Sequence, residues 1–137
     1  MTQDRPDAPE LLDAVAEFLF AELRGAVPAE ERFRVLVAAN VCAVVARELR
    51  AGEAPLREDL DLFSALLGRG PGRTPGPQLP GPEGSGPDLV AAVREAESAL
   101  CAELRSGHLD DRLGEVAAAL REHVRRKLEV ARPGYAD

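Results

Sequence analysis

Tryptophan is absent from this chain, tyrosine occurs once and phenylalanine four times, so aromatics make up only 4% of the 137 residues. Hydrophobic residues still reach 45%, and the core must therefore be built from Leu, Val and Ala. That argues against a β-sandwich, which needs β-branched and aromatic residues in alternation. No segment alternates with period two, and no internal repeat stands out. Positive charge is also short. The net charge is −7, which excludes nucleic acid as an expected partner, because phosphate binding needs a surplus of Lys and Arg. Only two cysteines, Cys42 and Cys101, and two histidines, His108 and His123, are present. They form no cluster at zinc spacing. Both cysteines sit in apolar helical patterns and read as buried free thiols. The longest nearly apolar run, Val35 to Ala46, falls short of the roughly 20 residues a membrane span needs. The acidic N-terminus has no apolar signal core. No membrane association and a cytoplasmic location are the expectations. Arg greatly outnumbers Lys, and Ala, Gly and Pro are abundant, as in a GC-rich bacterial genome.

What is present is helical periodicity. The most apolar stretch is Phe33 to Leu49. On a helical wheel Phe33, Val37, Val41 and Val44 fall on one side, and Val35, Cys42, Ala46 and Leu49 on the other. A helix apolar on two sides is expected to be the hub that others pack around. Asn40 lies within the first stripe, and Arg47 and Glu48 border it. These three read as a polar cluster that fixes helix docking or as the floor of a groove. Ahead of this helix, Asp7-Ala8-Pro9-Glu10 fits a capping box, with Pro9 at the first helical position an equal alternative. Leu12, Val15, Ala16, Leu19 and Leu23 then form a stripe that Leu11 and Phe18 widen. Glu10, Asp13 and Glu17 face water, and Gly25 and Pro28 close the helix. A third helix runs from Ala54 or Pro55 to Leu67 on Leu56, Leu60, Phe63 and Leu67. A fourth starts at Pro87 or Asp88, carries Leu89, Val93, Ala96, Leu100 and Leu104, and ends at Gly107. A fifth starts with Asp110 or Asp111 as N-cap and continues to about Ala131, on Leu113, Val116, Ala117, Leu120, Val124 and Leu128.

Residues 68–87 are a different material, with seven glycines and six prolines in twenty positions. Such a segment cannot repay its ordering entropy. The expected architecture is a single all-α domain over 1–137, a bundle of about five amphipathic helices, with 68–87 a disordered Gly/Pro loop between the third and fourth.

The sequence holds no nucleophile elbow and no phosphate loop. Glu10, Asp13 and Glu17 lack the Glu-x-x-His partners of a di-iron bundle. No catalytic residue, metal or cofactor is expected. Arg121, Arg125, Arg126, Lys127 and Arg132 gather near the end of the fifth helix. They read as complements to its macrodipole or as a contact patch for an acidic partner.

Three stretches together resemble a known pattern. Arg5-Pro6 with Glu10 to Leu19 reads RPxxxELLDAVAEFL. Arg34 to Asn40 followed by Val44 to Leu49 is similar to RVAAN…IVAREL. Lys127 to Tyr135 is similar to KLxIxNPxY. The chain thereby resembles a family of small all-helical bacterial proteins classed as a domain of unknown function. That family is typically encoded beside kinases of the aminoglycoside-phosphotransferase type, and often beside acyl-CoA dehydrogenases. The resemblance implies a non-catalytic accessory subunit of such a kinase, in acyl-CoA or hydroxyacyl-CoA metabolism. Alternatives are a helical module that binds an acyl-CoA-like small molecule, or a homodimeric structural bundle. The candidate interaction or polar-core residues are Asn40, Arg47, Glu48, Arg34, Asp13, Glu17, Arg125 and Tyr135.

Overall fold

The computed structural model describes residues 5–68 and 86–135, and among them there are five helices and no strand. The all-α expectation is therefore met. Helix α1 begins as Ala8–Glu17, continues through a π-helical stretch, Phe18–Leu23, and closes with Arg24–Ala26. Helix α2 is Arg32–Ala51, entered through a 3₁₀ turn at Ala29–Glu31. Helices α3 and α4 are Ala54–Gly68 and Pro87–Ser106. Helix α5 is Leu113–Ala131, preceded by a 3₁₀ turn at Asp110–Arg112. The expected Gly/Pro loop falls mainly on residues outside the described ones.

Local chemistry explains the boundaries. The Asp7 side chain accepts from Glu10 N–H, and the Glu10 carboxylate accepts from Asp7 N–H, each at 2.9 Å. This capping box satisfies two backbone donors at the start of α1. Gly107 ends α4 at φ 80°, a left-handed conformation that only glycine adopts without strain. Asp110 and Asp111 lie in the 3₁₀ turn rather than capping α5 directly.

The chain divides into two compact units, Met1–Gly52 with Leu128–Asp137, and Glu53–Lys127. The second unit holds nearly all the thick core. Leu60, Phe63 and Leu66 of α3 meet Leu89, Val93 and Leu100 of α4, with Leu109 and Val116 completing the cluster. On α5 the inward face differs from the expected stripe. Val116 and His123 are buried, whereas Leu113 and Val124 are exposed. The face is rotated because His123 and Arg126 turn inward to a carboxylate on α3.

In the first unit α1 and α2 form an antiparallel hairpin. Within this unit α2 is buried along a narrow seam only. The only buried residues of α2 are Ala39 and Ala46; Phe33 is 72% exposed and Val41 54%. Two alanines seven residues apart make a thin seam that lets α1 approach closely. Within this unit α1 covers one stripe of α2, and on its second apolar side Phe33, Val37 and Val41 are exposed. The cysteines are both free, but Cys42 is half-buried and Cys101 exposed, against the expectation of two buried thiols.

Each unit closes a helix C-terminus with a distant arginine. Arg47 Nε donates to the carbonyl of Val130 at 2.6 Å, and Arg112 Nη1 to the carbonyl of Leu66 at 3.1 Å. Both carbonyls belong to last turns that lack intrahelical donors, and a cation there also suits the macrodipole.

Glu53 stands just ahead of α3 and accepts from Gly86 N–H at 2.6 Å and from Arg57 at 3.1 Å. The Gly86 N–H, then Arg57, holds its carboxyl below the ordinary value of 4.5. A depressed carboxylate contributes stability that is present above that ordinary value and is lost as pH falls through the folded-state value. In Glu53→Gln, thermal unfolding followed by circular dichroism should show a shallower loss of Tm as pH drops below 4.5 than in the parent chain.

Candidate functional site

Two places stand out, one in each unit. In the second unit Asp59 is 5% exposed and His123 7%. Oδ1 of Asp59 accepts from Arg126 through Nη2 at 2.5 Å and Nε at 3.2 Å. His123 lies beside it, with Nδ1 3.0 Å from the same oxygen. That approach is off the direction a hydrogen bond requires, so buried Nδ1 has no hydrogen-bond partner. The contact is Coulombic when the imidazole carries a proton. Nε2 lies 3.6 Å from Glu97, which also draws Lys127 at 3.7 Å. The His123 ring stands edge-on to Phe63, with centroids 5.0 Å apart.

This arrangement joins α3, α4 and α5 through charge. It does not assemble a nucleophile with a base. The two ring nitrogens face different carboxylates, so no cation could share the imidazole with both. Among the described residues no group of three or more His, Cys, Asp or Glu is placed to hold a metal ion.

The second place is the α1–α2 hairpin. At about 100° per residue, Leu11, Val15 and Phe18 share one stripe of α1. It is offset by roughly 110° from the half-buried stripe of Leu12, Ala16, Leu19 and Leu23. On α2, Val41, Val45 and Leu49 are offset by roughly 110° from the Ala39–Ala46 seam. The offsets have the same sense on both helices, and the antiparallel course turns both stripes to one side of the hairpin. Exposure across these six runs from 37% at Val45 to 54% at Val41. On the other side lie the Asp13–Arg50 ion pair, at 2.5 Å, and the Arg47–Val130 contact.

The residues singled out from sequence do not form one cluster. Asn40 and Glu48 are exposed, and only Arg47 of the three is half-buried. A buried Asn40 core is therefore overturned, because the stripe that carries Asn40 faces outward. Arg34 pairs with Glu31 at 3.3 Å, Asp13 with Arg50, and Glu17 is exposed. Arg125 pairs with Glu122 at 2.7 Å, and this bond, more than Arg126, lowers the Glu122 carboxyl. Tyr135 is exposed, with the Arg132 guanidinium 4.9 Å over its ring. Within the basic group, Arg126 points inward instead of being solvated. Sequence reasoning passed over Asp59, which sits in register with Leu56, Leu60 and Phe63. A charged residue at a core position of a helical stripe was the available signal, and His123 in register with Val116 and Leu120 repeats it.

The family model for a domain of unknown function, DUF6285, matches residues 25–135. The chain belongs to this family. The DUF6285 match spans α2 to α5 and the RVLVAAN…VAREL and C-terminal motifs, while most of α1 with its RPxxxELLDAVAEFL motif precedes it. No curated protein and no solved structure matches the chain. Among the described residues no helix is long and apolar enough to cross a membrane.

Removing one member of a buried ion pair leaves the others uncompensated, at a cost of about 3–5 kcal/mol, whereas replacing the whole set by apolar residues is near neutral. Asp59→Leu should therefore destabilise strongly in urea unfolding. Adding Arg126→Met and His123→Leu should restore most of the loss. Asn40→Leu, by contrast, should stay within about 0.5 kcal/mol of the parent, as surface substitutions do.

Proposed function

We propose that this chain acts by association and not by chemistry of its own, as a non-catalytic accessory subunit. The observation that supports this reading is the bare apolar side of the α1–α2 hairpin. Six Leu, Val and Phe side chains lie on one face with about half their surface exposed. Contiguous apolar surface of that kind on a charged protein marks a protein–protein contact. The ionic groups of the second unit are by contrast engaged with one another across three helices, which is the work of holding a fold. The partner class follows from the family resemblance: a kinase of the aminoglycoside-phosphotransferase type, acting in acyl-CoA or hydroxyacyl-CoA metabolism.

Co-expression with the kinase encoded beside the gene, followed by affinity purification of either protein, tests this directly. A stoichiometric complex is expected, together with a change in kinase rate or lifetime when the chain is added. Absence of a complex with an unchanged kinase would overturn the proposal.

A further inference from the structure

We infer that the bare face of the α1–α2 hairpin is closed by a second copy of this chain, stacking two hairpins into a four-helix bundle. This rests on the reading that the chain works by association, and it assigns this face to self-pairing. The bare face then supports association as such and does not mark where the kinase binds, which is a separate surface of the assembled dimer.

Three features carry the inference. The first is area. The six side chains leave on the order of 500 Å² bare, near the top of the range for the largest patch on a monomer. Two copies face to face then bury about 1,000 Å² through these residues alone, the size at which a specific interface becomes credible.

The second is charge. Residues Ala8–Ala26 carry Glu10, Asp13, Glu17 and Glu22 against Arg24 alone, a net of −3. Residues Arg32–Ala51 carry Arg32, Arg34, Arg47 and Arg50 against Glu48 alone, a net of +3. A two-fold axis parallel to the hairpin lays α1 of one copy on α2 of the other. Every helix of the bundle then neighbours two of opposite sign, and like-charged helices lie on the diagonal. Arg47 and the Asp13–Arg50 pair lie on the far side of the hairpin and Arg34 pairs with Glu31, so the preference over stacking α1 on α1 comes from the whole-helix charges and not from ion pairs across the face.

The third is register. Asp13 pairs with Arg50 within the hairpin, which levels the start of α1 with the end of α2. Both helices rise about 1.5 Å per residue, so Leu11, Val15 and Phe18 lie level with Leu49, Val45 and Val41. The two-fold keeps these levels and sets each residue of the first row opposite its counterpart in the partner copy. The bulky Phe18 then meets the smaller Val41, which is the large-on-small interleaving that helix bundles use.

Light scattering on the purified chain across a concentration series tests the assignment. A mass of twice 14.6 kDa is expected. Val15→Glu and Val45→Arg should each abolish the dimer while circular dichroism keeps its helical amplitude, since both positions are on the surface. Combining them should recover the dimer, because the two-fold sets residue 15 of one copy against residue 45 of the other. Leu113→Glu, an exposed apolar position in the other unit, should leave the dimer intact. A monomer at every concentration overturns the inference. So does a dimer indifferent to both single changes, or a double variant that stays monomeric. A monomer that still captures the kinase sinks the self-pairing and spares the accessory reading. A dimer that never captures it does the reverse.

Discussion

The scarcity of bulky apolar side chains governs this structure. With four phenylalanines, one tyrosine and no tryptophan, the chain cannot fill two thick cores. Phe63 and most of the buried leucines go to α3 and α4, with Val116 of α5 packed against them. The hairpin of α1 and α2 is left with a seam of Ala39 and Ala46. Small side chains let two backbones approach, but they bury little surface, and at about 25 cal/mol per Å² little surface means little stabilisation. The three remaining phenylalanines, Phe18, Phe20 and Phe33, are all exposed. A thin unit with its large residues outside buries little of its own apolar surface.

Charge does in this protein what aromatic packing does in others. Asp59, Arg126 and His123 fix how α3 and α5 meet, with Glu97 drawing in α4. Buried ion pairs cost desolvation and return it only in good geometry, so removing one partner costs more than replacing the whole set by apolar residues. The same economy recurs at helix ends, where Arg47 and Arg112 reach carbonyls far away in sequence. One arginine thereby satisfies an orphan acceptor, opposes a dipole and pins two segments together. In a chain whose cations are nearly all arginine, this device is available repeatedly.

Much of the fold was legible beforehand. The ends of α1, α3 and α4 follow from Asp7, Gly68, Pro87 and Gly107, because capping and glycine chemistry are local. The stripe of α4 is legible almost residue by residue, since Leu89, Val93, Ala96 and Leu100 are all buried. The thin burial of Phe33–Leu49 within its own unit is not, because hydropathy measures what a helix can bury and not how much of it a neighbour covers. The inward face of α5 was missed by one step, since His123 and Arg126 were counted as polar and therefore outward. Asn40 drew attention as an inclusion in an apolar stripe, and that stripe proved to be the exposed one.

By itself the sequence determined the helical class, the number of long helices, most of their boundaries and the family to which the chain belongs. These depend on periodicity, caps and motifs, which act within a few residues. Only the tertiary structure decided which apolar stripe became core and which stayed bare, and which charges turned inward. Those outcomes depend on competition among helices for a limited supply of large side chains. That competition is settled only when residues as far apart as Asp59 and Arg126 come within hydrogen-bonding distance.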